Sequence, residues 1–152
     1  MTVTWYLLLK YLHVLLAITA VGSNITYAVW KTLGAREPAH APFALKGIAF
    51  IDNRVANPAY GGLLITGLIL LAVGEVGFRG WVIAALILFA LLIVVAVGFY
   101  SRVVRQQIKV MDAEGVASVA FKRLDSQAMT YGIISLVIAL LIVFLMVVKP
   151  FP

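Results

Sequence analysis

Two ionisable side chains, Lys10 and His13, stand inside the first apolar run, LLLKYLHVLLAITAVG (residues 7–22). A neutral imidazole can ligate a metal or haem iron, pass a proton, or hydrogen-bond across a helix bundle. At about 100° per residue, Lys10, His13, Ala17, Ala20, Asn24, Tyr27 and Lys31 share one helical stripe. Lipid offers His13 and Asn24 no partner, so that stripe is expected to face other helices. Three roles stay open for His13: bundle hydrogen bonding, axial ligation of haem iron, and a proton or ion path. Lys10, nearer the surface, reaches the interface along its aliphatic stem.

A second polar segment is DNRVANPAYGGLLITG (residues 52–67). Asp52 and Arg54 are expected to pair with each other or with lipid headgroups. Asn57 suits a helix cap and Pro58 a first helical turn. Gly61, Gly62, Thr66 and Gly67 form a small-residue surface that another helix, or a flat ligand, can approach closely.

Other chemistries lack their residues. The chain has no cysteine, which removes disulfides, thiolate metal sites and Cys nucleophiles. His40 is the only other histidine and lies in a loop. Asp52 precedes the second expected span, and Glu75 is placed in the short outer turn at its far end. A metal site of protein ligands alone needs three or four donors; haem brings four nitrogens and asks the protein for one. There is no phosphate-binding Gly-x-x-x-x-Gly-Lys loop and no His-Glu-x-x-His, and no catalytic residue is assigned.

The elements that must position these groups are legible in composition. The 152 residues are 64% hydrophobic and 12% charged, with mean hydropathy +1.09, about half the charge of a soluble domain. The chain reads as one integral membrane domain, residues 1–152. Four apolar runs are long enough to cross a bilayer, at about 5–30, 58–78, 81–100 and 131–148. The fold class is all-α, a membrane four-helix bundle, since the alternation of β-barrel strands is absent. Trp5, Trp30, Trp81, Tyr100 and Tyr131 near the span ends suit the headgroup zone. The first run lacks a basic leader and is expected to be retained rather than cleaved.

Of twelve Lys and Arg residues, nine lie in the connections after spans one and three, and only Lys10, Arg79 and Lys149 lie elsewhere. This asymmetry predicts a bacterial inner-membrane protein with those connections cytoplasmic and both termini outside. The net charge of +6 is therefore expected to meet anionic headgroups and not nucleic acid. SRVVRQQIKVMD should extend the third helix as far as Gly115, and VASVAFKRLDSQAMTYG should lead directly into the fourth. FALKGIAFIDNRVANP (residues 43–58) is expected to be an interfacial helix ending at Asn57 and Pro58. AFIDNRVANPAYG (49–61) and AFKRLDSQAMTYG (120–132) share Ala-Phe and Tyr-Gly at equal separation, a faint echo of two parallel hairpins.

LKYLHVLLAITAVG and NRVANPAYGGLLITG resemble an uncharacterised bacterial family of predicted four-helix integral membrane proteins over most of the chain. More distantly, over about half of it, they resemble the bacterial membrane protoporphyrinogen oxidases and the copper-resistance D-type membrane proteins. Lys10, His13, Gly22, Arg54, Asn57 and Pro58 match the oxidase pattern of a Lys-x-x-His with a downstream glycine, then Arg and Asn-Pro. That resemblance implies haem b at His13. The family's third-helix lysine has no counterpart, because residues 81–100 contain no Lys, Arg or His; the family's catalysis is not implied.

The leading expectation is a haem b-associated membrane protein with His13 as axial ligand to the iron, assisted by Lys10, Asn24 and Arg54. Arg54 would meet a propionate only if the cofactor lay toward the cytoplasmic half, whereas His13 belongs to the outer half. The alternatives are a small-solute or ion permease, with Thr66 and Ser135 facing the same interior, and a non-catalytic scaffold whose basic loops bind lipid or a cytoplasmic partner. A redox partner and a homodimer remain open.

Overall fold

The structure, a computed structural model, describes residues 2–74 and 77–151. Helix α1 is Thr2–Arg36. A 3-10 turn, Pro38–His40, leads into α2 (Ala41–Ile51), a π-helical turn (Asp52–Ala56) and α3 (Asn57–Val73), which together form one rod. Helix α4 (Gly80–Ile93), a second π segment (Val94–Tyr100) and α5 (Ser101–Glu114) form the next rod, and α6 (Val119–Val148) the last. Among the described residues, four helices are long and apolar enough to cross a membrane. The first rod packs on the second, and α4 and α5 pack on α6, which is the expected all-α membrane bundle of two hairpins.

Small residues let the rods approach. Ala20, Ala56, Ala59, Ala85, Ala96, Ala128 and Ala139 are all buried in the core. Hydrocarbon solvates leucine as well as a protein core does, so close backbone packing and polar contacts carry helix association in lipid. The large aliphatic residues accordingly face outward, as at Ile18 and Ile87.

The second rod departs from expectation. Asn57 caps nothing: it has helical angles (φ −62°, ψ −43°), and its N–H donates to the carbonyl of Asp52, five residues back. Pro58 thus lies inside a continuous rod, where it lacks an N–H and its ring would crowd the preceding turn of an α-helix. The wider π turn immediately before it accommodates both defects. The helix expected at the interface therefore runs straight into the span without a break. The span itself ends at Val73, short of the expected Phe78; Glu75, assigned to the outer turn, lies outside the described residues.

The third rod ends where expected, at Gly115, whose φ of +80° suits a residue without a side chain. Ser118 caps α6, its Oγ accepting the Phe121 N–H at 3.1 Å. Helix α5 buries Val103, Val104, Gln107 and Met111 and turns Arg102, Arg105 and Lys109 outward. Two of the aromatic residues near the span ends are covered by the bundle. Trp81 is buried beneath the Lys149 ammonium, 5.4 Å from its ring centroid, and Tyr100 is buried against Tyr27.

Candidate functional site

Helix α1 brings the half-buried His13 against α3. Its Nδ1 lies 2.7 Å from Thr66 Oγ1, and the Thr66 hydroxyl also lies 2.7 Å from the Gly62 carbonyl, one turn back. A hydroxyl has one proton, and the carbonyl can only accept. When the Thr66 proton points to Gly62, Thr66 Oγ1 accepts from His13 Nδ1–H, and in that tautomer the Nε2 lone pair is free. Gly67 makes room for the ring: a Cβ there would stand 3.2 Å from His13 Cε1. Gly62 is covered by Leu16 in the same way, whereas Gly61 meets nothing within 4 Å. The small-residue surface thus receives α1, and His13 in particular.

The other expected cofactor residues do not converge on His13. Lys10 is exposed one turn away on the same stripe. Asn24 is buried, its Nδ2 donating to Tyr60 Oη at 2.8 Å and lying 3.2 Å from the Ala20 carbonyl. It sits about 16 Å along α1 from His13, at 1.5 Å per residue. Arg54 is exposed on the π turn, about 18 Å along the second rod from Thr66 on the same rise. Ser135 is buried with no hydrogen-bond partner among the described residues.

Asp52 is the residue that sequence reasoning misplaced. It pairs with neither Arg54 nor solvent; it is 3% exposed. Its Oδ2 accepts from Ser101 Oγ at 2.6 Å, and the Tyr27 hydroxyl lies 3.4 Å from Oδ1. No ion pair to it within 4.0 Å occurs among the described residues. Asp52 opens one π turn and Ser101 follows the other, so the two irregular segments meet through their side chains. Tyr27 stacks on Tyr100 with centroids 5.5 Å apart. The Tyr100 hydroxyl and Asn57 Oδ1 are buried without hydrogen-bond partners among the described residues. One signal was available: a proline six residues beyond an acid, in an apolar helix, asks for an irregular turn between them.

Nearer the basic connections, the Lys31 ammonium is 2.7 Å from Asp125 Oδ1 and 3.1 Å from the Asp125 carbonyl, and Gln107 Nε2 donates to the same carboxylate at 2.8 Å. These residues help to line a cavity of about 300 Å³ whose walls are otherwise largely apolar, including Trp30, Leu45 and Phe121.

Among the described residues, no three His, Cys, Asp or Glu side chains cluster to hold a metal ion. No curated protein and no solved structure matches the chain. A family model does match, over residues 7–150, and its description is "Predicted integral membrane protein (DUF2269)". Four membrane-length helices and a match over nearly the whole length place this chain in that family.

Proposed function

We propose that the chain is a haem b-associated membrane protein in which His13 Nε2 is the axial ligand. One observation carries the reading: Thr66 Oγ1 stands 2.7 Å from His13 Nδ1, where it serves as acceptor for the tautomer that leaves Nε2 free. Ligating histidines characteristically donate their other ring N–H to a fixed acceptor, which sets tautomer and orientation. Gly67 supplies the room that this orientation needs. Lys10, one turn from His13, provides the positive charge for a propionate, while Asn24 and Arg54 serve the bundle at other levels. Bound haem would supply one-electron chemistry at its iron. The basic connections support an inner-membrane location with both termini outside the cytoplasm, which sets Lys10 and His13 toward the outer face.

The test is the absorption spectrum of purified protein, oxidised and reduced, after expression with haem precursor. A Soret band that is lost in His13→Ala is expected. Thr66→Val should keep the protein folded and weaken haem affinity by about 10–100-fold, as loss of an orienting partner does. Haem-free protein at full yield would reject the reading.

A further inference from the structure

We propose that Asp52 is a proton-binding site of the bundle, its carboxyl hydrogen-bonded in both protonation states through Ser101 and the Ala96 carbonyl. The site stands beyond the haem reading and independent of it, about 21 Å along α1 from His13 by the level of Tyr27.

The geometry turns on one hydroxyl with two acceptors. Ser101 Oγ lies 2.6 Å from Asp52 Oδ2 and 3.1 Å from the Ala96 carbonyl. With Asp52 ionised, the Ser101 proton goes to Oδ2, and Tyr27 offers its hydroxyl to Oδ1. With a proton on Oδ2, the carboxyl donates to Ser101 Oγ, and the Ser101 proton turns to Ala96. One proton enters from the aqueous phase, one hydroxyl rotates, and no polar atom of the trio loses its partner.

The π segment makes the second state available. In an α-helix a serine reaches back to the carbonyl three or four residues earlier. Here the Ala96 carbonyl stands five residues before Ser101 and already accepts the Ser101 backbone N–H. A carbonyl has a second lone pair for the hydroxyl. The Asp52–Ala56 turn, for its part, sets the carboxyl opposite Ser101.

Burial gives the arrangement its purpose. Ser101 is buried as deeply as Asp52, and a carboxylate sunk this far without a paired cation is costly. The titratable groups that face Asp52 are Tyr27 from α1, Tyr60 from α3 and Tyr100 from the second π segment. The cation that acts on it is Arg105 of α5, exposed and not in contact. None of them locks Asp52 in the charged form as a salt bridge would. A carboxyl whose two states are both satisfied can take up and release a proton without leaving an orphaned polar atom, which is what a proton-carrying group in a low-dielectric site requires.

Infrared difference spectra of the full-length protein in lipid nanodiscs, recorded between acidic and alkaline buffer, test this. The chain has six carboxyl side chains, so Asp52→Asn identifies the contribution of one. The expected result is a reversible protonated-carboxyl band that is absent in Asp52→Asn and returns at shifted frequency in Asp52→Glu. In Ser101→Ala the band should move to higher frequency, because the carboxyl O–H has lost its acceptor. A difference spectrum identical in wild type and a folded Asp52→Asn would overturn the proposal. So would an Asp52 that keeps one protonation state throughout the range in which the protein stays folded, or a band indifferent to Ser101→Ala. Should Asp52→Asn fail to fold, Asp52→Glu and Ser101→Ala decide alone.

Discussion

The His13 imidazole and the backbone of Gly67 are in contact across α1 and α3, close enough that a methyl group on Gly67 would stand 3.2 Å from Cε1. Gly61, on the same helix, has nothing within 4 Å of that position. Alanine is intrinsically better than glycine in a helix by about 1 kcal/mol. Gly61→Ala should therefore raise stability by up to about 1 kcal/mol. Gly67→Ala should lower it by about 1 kcal/mol, because the displaced ring loses Thr66. Thermal unfolding of the two variants side by side in one detergent checks the difference in sign.

Lys31 and Asp125 form an asymmetric pair, since the Lys31 side chain is 9% exposed and that of Asp125 is 47% exposed. Removing the acid strands a buried ammonium and also unpairs Gln107 Nε2, whereas removing the ammonium leaves a carboxylate that water can solvate. Asp125→Ala is thus expected to cost about 1–2 kcal/mol more than Lys31→Met, after allowance for screening at the half-exposed carboxylate. Equal losses, measured by chemical denaturation, would contradict this account.

Tyr27 and Tyr100 stack as near equals, yet their hydroxyls differ: one faces Asp52, and the other is buried with no partner among the described residues. Deleting an unsatisfied buried hydroxyl removes a desolvation penalty, while deleting a bonded one removes an interaction. Tyr100→Phe should be neutral or stabilising by about 1 kcal/mol, and Tyr27→Phe destabilising by about the same amount. A loss of stability in Tyr100→Phe would show that its hydroxyl has a partner after all.

Much of the architecture was legible in advance because membrane helices declare themselves by length and apolarity. The stripe on α1 was readable for the same reason: Ala20, Asn24 and Tyr27 face inward as their spacing required. The Gly115 break and the Gly62 and Gly67 contacts with α1 followed from residue type. Of the two π turns only the first had a local signal, Pro58 within an apolar run; the second, Val94–Tyr100, has no proline and was not legible, and together they bring Asp52 opposite Ser101. Once a helix leaves the 3.6-residue period, face assignments past that point shift by about one residue. Asp52 itself heads its π turn, four residues beyond the buried Ile48 on the inner face of α2, and is the most deeply held acid among the described residues instead of half of a surface pair. Tyr100 is buried as well, although its type and place had suggested an interface anchor.

The two π turns also bear on how chains of this kind can change length. A π turn is a helix holding one residue more than the α register needs. Loss of a single codon within residues 53–55 or 95–99 would let the rod relax into regular helix while its flanks kept their faces toward the bundle. What would vanish, on loss of a residue within 95–99, is the five-residue reach from Ser101 to the Ala96 carbonyl. A deletion of one residue there would therefore take away the second acceptor of the Ser101 hydroxyl while sparing the membrane scaffold.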